Sequence, residues 1–206
     1  MRTIRLSRGR YTLVDAEDYE RLNRYRWYWN PPKHRGAGWG YAFRKGRKKH
    51  GEPSTVMMHR EIMGFSDGVC IDHINRNGLD NRKQNLRFAD HQKNGFNRGK
   101  SRICLYTSRF KGVFRRTGAI KWTARIKFNG RHVELGTYRE EEKAAAVYNF
   151  AARLFFGRYR CENPHVPELT LSEQWRIFGI AKRYVERYGW YVDTETYRSF
   201  FMQAAS

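Results

Sequence analysis

Asp72 and His73 stand side by side at the end of a short apolar run, Val69-Cys70-Ile71, and a polar stretch rich in Asn and Gly follows, carrying Asn85 and then Asn94. The carboxylate of Asp72 and the carboxamide of Asn94 are hard oxygen donors of the kind that suit a divalent cation such as Mg²⁺. An imidazole next to them, with an unperturbed pKa of about 6.5, can be neutral at working pH and take a proton from water. These types together are what a single-metal site for phosphodiester hydrolysis needs. Asp beside His is a weak signal alone; Asn85 and Asn94 at fixed later spacing strengthen it. The competing reading has Asp72 capping a turn and Asn94 a helix, roles both residue types commonly fill. His59 reads as a hydrogen-bonded core residue rather than a ligand, Arg60, Arg76 and Arg87 as candidates for phosphate contact, and His91 as a residue without a role.

Charge sets the partner class. Of 206 residues 41 are Lys or Arg and 20 Asp or Glu, a net +21. An excess of that size points to a polyanion, nucleic acid before anionic membrane, because neutralising phosphates releases condensed counterions. The excess is uneven: residues 1–60 carry +10, 61–100 only +2, 101–164 +9, and 165–206 none. The near-balanced centre is where Asp72 and His73 lie, as suits a place that must hold a cation beside phosphate. A hydrophobic share of 40% excludes disorder along the whole chain. No apolar block resembles a signal peptide or membrane span, so a cytoplasmic protein with no membrane partner is expected. Three widely spaced cysteines, Cys70, Cys104 and Cys161, argue against a disulfide framework and against zinc held by cysteine pairs.

The elements that must position these residues read as α+β. Residues 11–14 suit a strand, Asp15 can cap a helix over 16–25, and 39–44 and 55–59 suit further strands, the last bearing His59. Basic turns fall at 31–36 and 45–51. Residues 86–97 run from strand into helix. After a linker at 101–109, three strands are expected at 112–115, 121–128 and 131–135, with Asn129-Gly130 as a hairpin turn. In the middle strand Trp122, Ala124, Ile126 and Phe128 alternate with Lys121, Thr123, Arg125 and Lys127, one face apolar and one cationic. A helix over 140–156 offers an alanine-rich face to the apolar side and ends at Gly157. Thr170 and Glu173 have capping-box spacing ahead of a stripe of Trp175, Phe178, Ala181, Tyr184, Val185 and Tyr188, read as a packing extension over 165–206.

Two resemblances sharpen this reading. His59-Arg60, Asp72-His73, Asn85-Leu86-Arg87 and Asn94 fall in the order and approximate spacing of the HNH nuclease family, in the form found in phage and intron homing endonucleases. Phe110-Lys111-Gly112-Val113, Lys121-Trp122-Thr123-Ala124-Arg125-Ile126, Leu135-Gly136-Thr137-Tyr138 and the run 144–152 resemble the AP2 family of DNA-binding domains. The resemblances imply a ββα-metal (HNH) nuclease domain over residues 1–100, followed at 110–164 by a three-stranded antiparallel sheet plus helix that enters the DNA major groove. They imply Asp72 and Asn94 as ligands of one divalent cation, Mg²⁺ or Mn²⁺, and no zinc. His73 is implied as the base, its second nitrogen on a backbone carbonyl, and Asn85 as a clamp on the metal loop. Products would carry 5′-phosphate and 3′-hydroxyl ends. Lys111, Arg116, Arg125, Lys127 and His132 match the DNA-facing side of the second family, flanked by Arg115 and Lys121, and Arg60 and Arg87 would touch DNA from the first. Phe114 and Glu134 depart from that family's familiar Arg and Trp, so its target sequence does not carry over.

The expected partner is double-stranded DNA, bound by a monomer that nicks one strand; a double-strand break would need a dimer or two events. The alternative is a non-cutting DNA-binding regulator with a decayed central motif, and a restriction or repair nuclease is a third reading. Metal-dependent nicking of plasmid separates the first from the second.

Overall fold

In the first strands, isolated buried residues alternate with exposed ones, the pattern of a ribbon covered on one side. Ile4 marks β1 (Arg2–Arg5), and Thr12 and Val14 mark β2 (Tyr11–Val14), which pairs with it antiparallel from Arg2↔Val14 to Arg5↔Tyr11. The computed structural model describes residues 1–32, 39–47, 53–64, 70–100 and 107–190. It divides into two units, Met1–Asn97 and Arg98–Ser206.

In the first unit, α1 (Ala16–Asn23) follows β2. Asp15 precedes it without a side-chain cap bond; its Oδ2 instead accepts from the Lys83 N–H at 2.8 Å, tying the helix start to a distant loop. Strands β3 (Tyr28–Asn30), β4 (Tyr41–Arg47) and β5 (Pro53–Met57) form an antiparallel sheet in that order. β4 starts two residues later than the expected 39–44, because Gly40 has φ 79 and breaks the extended run. The expected strand over 55–59 also stops early: Met58 opens α2 (Met58–Met63), so His59 is helical. The cause is the spacing of Met58 and Ile62, four apart and both buried, with Gly64 at φ 71 ending the helix. Parts of the expected basic turns, residues 33–36 and 48–51, lie outside the described residues.

The hairpin of β6 (Cys70–His73) and β7 (Leu86–Ala89), followed by α3 (His91–Phe96), completes this unit. Asp90 caps α3, its Oδ1 accepting from the Lys93 N–H at 2.6 Å. The core gathers Ile4, Leu6, Val14, Leu22, Trp27, Ala42, Met58, Ile62, Ile71, Leu79 and Leu86, with Trp29 of β3 packed against it, so β1, β2, β3, β4, β6, β7, α1 and α2 all reach one apolar mass.

The second unit holds a sheet of order β10-β9-β8, formed by β8 (Val113–Phe114), β9 (Trp122–Phe128) and β10 (Arg131–Tyr138), under α4 (Glu141–Phe156). β8 is shorter than expected, and β10 runs past Leu135 because Gly136, at φ 122, absorbs a bulge. Asn129 and Gly130, both at positive φ, make the hairpin turn. Ala144, Ala145, Ala146, Ala151 and Ala152 are buried, which lets helix and sheet approach closely. Gly112 answers the same demand: it sits against the Tyr148 ring, where any Cβ would clash. In α5 (Leu171–Tyr188), capped by the Thr170/Glu173 box, Ile177, Phe178 and Ala181 are the buried residues. Trp175, placed by the periodicity on that stripe, is 37% exposed. Residues 101–106 of the expected linker and the end of the chain from 191 lie outside the described residues. Among the described residues no helix is long and apolar enough to cross a membrane.

Candidate functional site

β6 delivers two chemically different side chains in opposite directions. Its register with β7 sets Asp72 opposite Arg87 and His73 opposite Leu86. Strand alternation turns Ile71 and His73 toward the core and the amino-terminal hairpin, and Cys70 and Asp72 toward α3. Both faces are covered: Ile71, Asp72 and His73 are all buried.

On the α3 side, Oδ2 of Asp72 accepts from Arg87 Nε at 2.8 Å and Nη2 at 2.6 Å, while Oδ1 accepts from the Asn97 amide at 3.0 Å. The same Asn97 nitrogen reaches the His73 carbonyl at 2.9 Å, so one amide fastens the end of α3 to the end of β6. Cys70 Sγ lies 3.4 Å from His91 Nδ1 at the other end of the helix. Asn94 is half-buried between them, three positions from each and thus a helix-surface neighbour of both. The amide in contact with Asp72 is therefore Asn97, with Asn94 one turn earlier. Arg87, counted above among phosphate-facing cations, lies on Asp72 instead.

On the core side, His73 Nε2 is 3.2 Å from Asn81 Oδ1, a side-chain oxygen where the family resemblance implied a backbone carbonyl. Burial holds the His73 pKa below its ordinary value, partly offset by the Asn81 hydrogen bond and the charges of Asp72 and Asp80. The His59 ring packs edge-on against it, centroids 5.1 Å apart, and Tyr41, 44% exposed, lies 5.8 Å from it. Among the described residues the His59 Nδ1 has no hydrogen-bond partner, and burial, then the His73 and Arg60 charges, lower its pKa to about 3. The unfolded chain therefore takes up this proton first, and stability falls as pH drops through the window from about 6.5 toward 3. About 3 kcal/mol should be lost by pH 4 through this one group. Urea denaturation at pH 6.5 and 4 should show that loss in the native chain and a correspondingly smaller one in His59→Leu.

The loop between β6 and β7 is held by its own polar side chains. Asn85 accepts the Asn75 N–H at 2.9 Å through Oδ1 and donates to the Asp80 carbonyl at 2.7 Å and to Asn75 Oδ1 at 3.0 Å. Asp80 accepts from Asn75 at 2.8 Å and from Arg82 twice at 2.7 Å, and the Arg82 hydrogen bonds keep its carboxyl below the usual range. The backbone N–H groups of Asn75, Asn77 and Leu79 are met in turn by the side-chain oxygens of Asn85, Asn75 and Asn77.

Among the described residues no group of three or more His, Cys, Asp or Glu is assembled around a metal position. What is present is one buried carboxylate, that of Asp72, in contact with the carboxamide of Asn97, with Asn94 one turn earlier on α3. Such a set fits a hard cation that keeps water and phosphate oxygens as its other ligands, the habit of Mg²⁺. It does not resemble the four N and S ligands of a structural zinc site. A cation arriving at Asp72 would compete with the Arg87 guanidinium for Oδ2.

Of the sequence-derived DNA contacts of the second unit, Arg125, Lys127 and His132 share the sheet face opposite the apolar one, while Arg115 lies on the Trp122 side and Lys111 near Phe156 of α4. Arg125 and Lys127 alternate with buried Ala124, Ile126 and Phe128. His132 pairs with Lys127, and partial desolvation with the Arg125 and Lys127 charges lowers its pKa. Arg125 stacks over Phe114 at 4.5 Å and Arg115 over Trp122 at 4.5 Å. Arg116 is paired with Glu134 at 2.6 Å, so that cation is locally neutralised. Lys121 is exposed, and Lys111 donates to the Arg98 carbonyl at 2.6 Å. Arg60 is half-buried on α2.

Asn97, Asn81 and the Asp72–Arg87 pair escaped sequence reasoning. Asn97 had one available signal: it repeats Asn94 after three residues, on the side of α3 that must face Asp72. No family model matches the chain. Over 157 residues, 76% of each chain, it is 28% identical to a protein of Acanthamoeba polyphaga mimivirus named as an uncharacterized HNH endonuclease.

Proposed function

We propose that this chain is a metal-dependent DNA endonuclease of the HNH type, a site-specific enzyme of the homing kind. The observation that carries the reading is the end of β6, where a buried carboxylate and a buried imidazole leave one strand in opposite directions, each held by a hydrogen-bonded partner. The likeness to a viral protein named as an HNH endonuclease supports it.

In this reading Asp72 and Asn94 would hold one Mg²⁺ or Mn²⁺, and when bound that ion stabilises charge on the leaving 3′ oxygen. His73, kept neutral by burial, accepts the proton of the attacking water. Asn85 acts through the loop it closes rather than on substrate. Arg87, once off Asp72, and Arg60 supply cations for the phosphate backbone. Cleavage leaves a 5′-phosphate and a 3′-hydroxyl. The second unit acts as an AP2-like reader, with Arg125, Lys127 and His132 presented to the major groove and Arg115, Lys121 and Lys111 beside them.

The test is incubation of the full chain with supercoiled plasmid carrying its target. Nicking is expected with Mg²⁺ and should vanish with EDTA and return on adding excess Mg²⁺. Tight, salt-sensitive binding with no cutting under any metal would overturn the reading in favour of a DNA-binding regulator.

A further inference from the structure

Neutral imidazole has one basic nitrogen, and which one it is depends on the hydrogen bond made by the other. At His73 that bond belongs to a buried chain that starts on the amino-terminal hairpin. Thr12, fully buried on β2, donates its hydroxyl proton to the Leu79 carbonyl at 2.7 Å. A carbonyl can only accept, so the direction is set. The Thr12 oxygen is then left to accept, and Asn81 Nδ2 donates to it at 2.8 Å; the same amide approaches the Gly78 carbonyl, another obligate acceptor. With its nitrogen so engaged, Asn81 must turn its oxygen toward His73, 3.2 Å from Nε2. An amide oxygen facing a ring nitrogen requires the proton on that nitrogen. Nε2 is therefore N–H, and Nδ1 carries the lone pair.

Backbone bonds lock the same contact. Leu13 donates to the Leu79 carbonyl and accepts from the Asn81 N–H, both at 2.8 Å, so β2 and the loop between β6 and β7 run as a short parallel bridge at Leu13↔Asp80. Asn81 is 1% exposed and Thr12 0%, so no solvent competes for these groups.

We infer that Thr12, through Asn81, selects the His73 tautomer with hydrogen on Nε2, which assigns Nδ1 as the atom that receives the proton of the attacking water. This rests on the nuclease reading for its consequence, but not for its geometry. Thr12 and Asn81 are positioning residues: neither is placed to touch substrate. Hairpin β1–β2 is thereby part of the base rather than a remote support.

The ring nitrogen resonances of His73 in the ¹⁵N-labelled full chain, at a pH where the ring is neutral, test the inference directly. Nε2 is expected in the protonated, pyrrole-type position and Nδ1 in the unprotonated, pyridine-type position. Thr12→Val preserves shape but lets the Asn81 amide turn, so its His73 should show mixed tautomers and a kcat for plasmid nicking lowered about 10-fold to 100-fold, below the full value of a general base, with KM unchanged. Thr12→Ser restores the hydroxyl and should restore both. A wild-type ring with hydrogen on Nδ1 overturns the inference without any variant. So does an unchanged, pure Nε2–H ring in folded Thr12→Val. The expected tautomers without any nicking by the wild type would sink the nuclease reading and leave the selection of the tautomer by Thr12 and Asn81 standing.

Discussion

His73→Ala should lower the rate of metal-dependent cleavage by about 10²–10⁴ while leaving DNA affinity near that of the wild type. His73 is 5% exposed, so in the proposed mechanism its removal should cost proton transfer rather than a surface contact with DNA. Some stability goes with it, because the Asn81 oxygen loses its partner in a buried site, a penalty of about 1–3 kcal/mol. Circular dichroism at the assay temperature separates the two effects. The wild-type acid limb of kcat/KM should lie below pH 6.5: burial favours the neutral ring, so the base stays unprotonated to lower pH than a free histidine. An acid limb at or above 6.5, or a His73→Ala chain that cuts at the wild-type rate, would remove His73 from the mechanism.

The second large effect is expected at Asp72. Asp72→Ala breaks the ion pair with Arg87, whose side chain is 11% exposed, and removing one member of a buried pair costs on the order of 3 kcal/mol. It would also remove the oxygen proposed to hold the cation, so Mn²⁺ binding, read by calorimetry or electron paramagnetic resonance, should disappear together with cleavage. The double variant Asp72→Ala/Arg87→Met separates these losses. An apolar chain in place of the guanidinium should recover most of the stability and none of the Mn²⁺ binding or cutting. Arg87→Met alone should bind Mn²⁺ more tightly than wild type, because the competing cation at Oδ2 is gone. If the double variant regains cleavage, the carboxylate holds Arg87 and nothing more.

The polar loop over residues 74–85 shows how far local chemistry carries. Its Asn and Asp content announces side chains that bond their own backbone, and Asn85 does close it onto Asn75 and Asp80 within ten residues. The β6/β7 pairing and α3 behind the Asp90 cap follow from the same short-range rules. His59 shows where such rules fail. Its run from Thr55 has the composition of a strand continuing to 59, but burying Met58 and Ile62 in one core favours a helix from Met58 onward. Propensity over five residues lost to burial in the core that also holds Trp27 and Leu22.

From the chain alone come the chemical types and their placement on one strand: a carboxylate and an imidazole adjacent in β6, sent to opposite faces because alternation is a property of any extended backbone. The excess of cations and the balanced centre are equally local, being sums over residue types. Which groups meet those two side chains is another matter. Asn97 reaches Asp72 across 25 positions, Arg87 across 15, and Thr12 reaches Asn81 across 69. Contacts at such separations depend on how β2, β6, β7 and α3 pack, and no spacing rule links them. The state of the site, with Asp72 neutralised by an arginine and His73 held to one tautomer, is for that reason a product of tertiary packing.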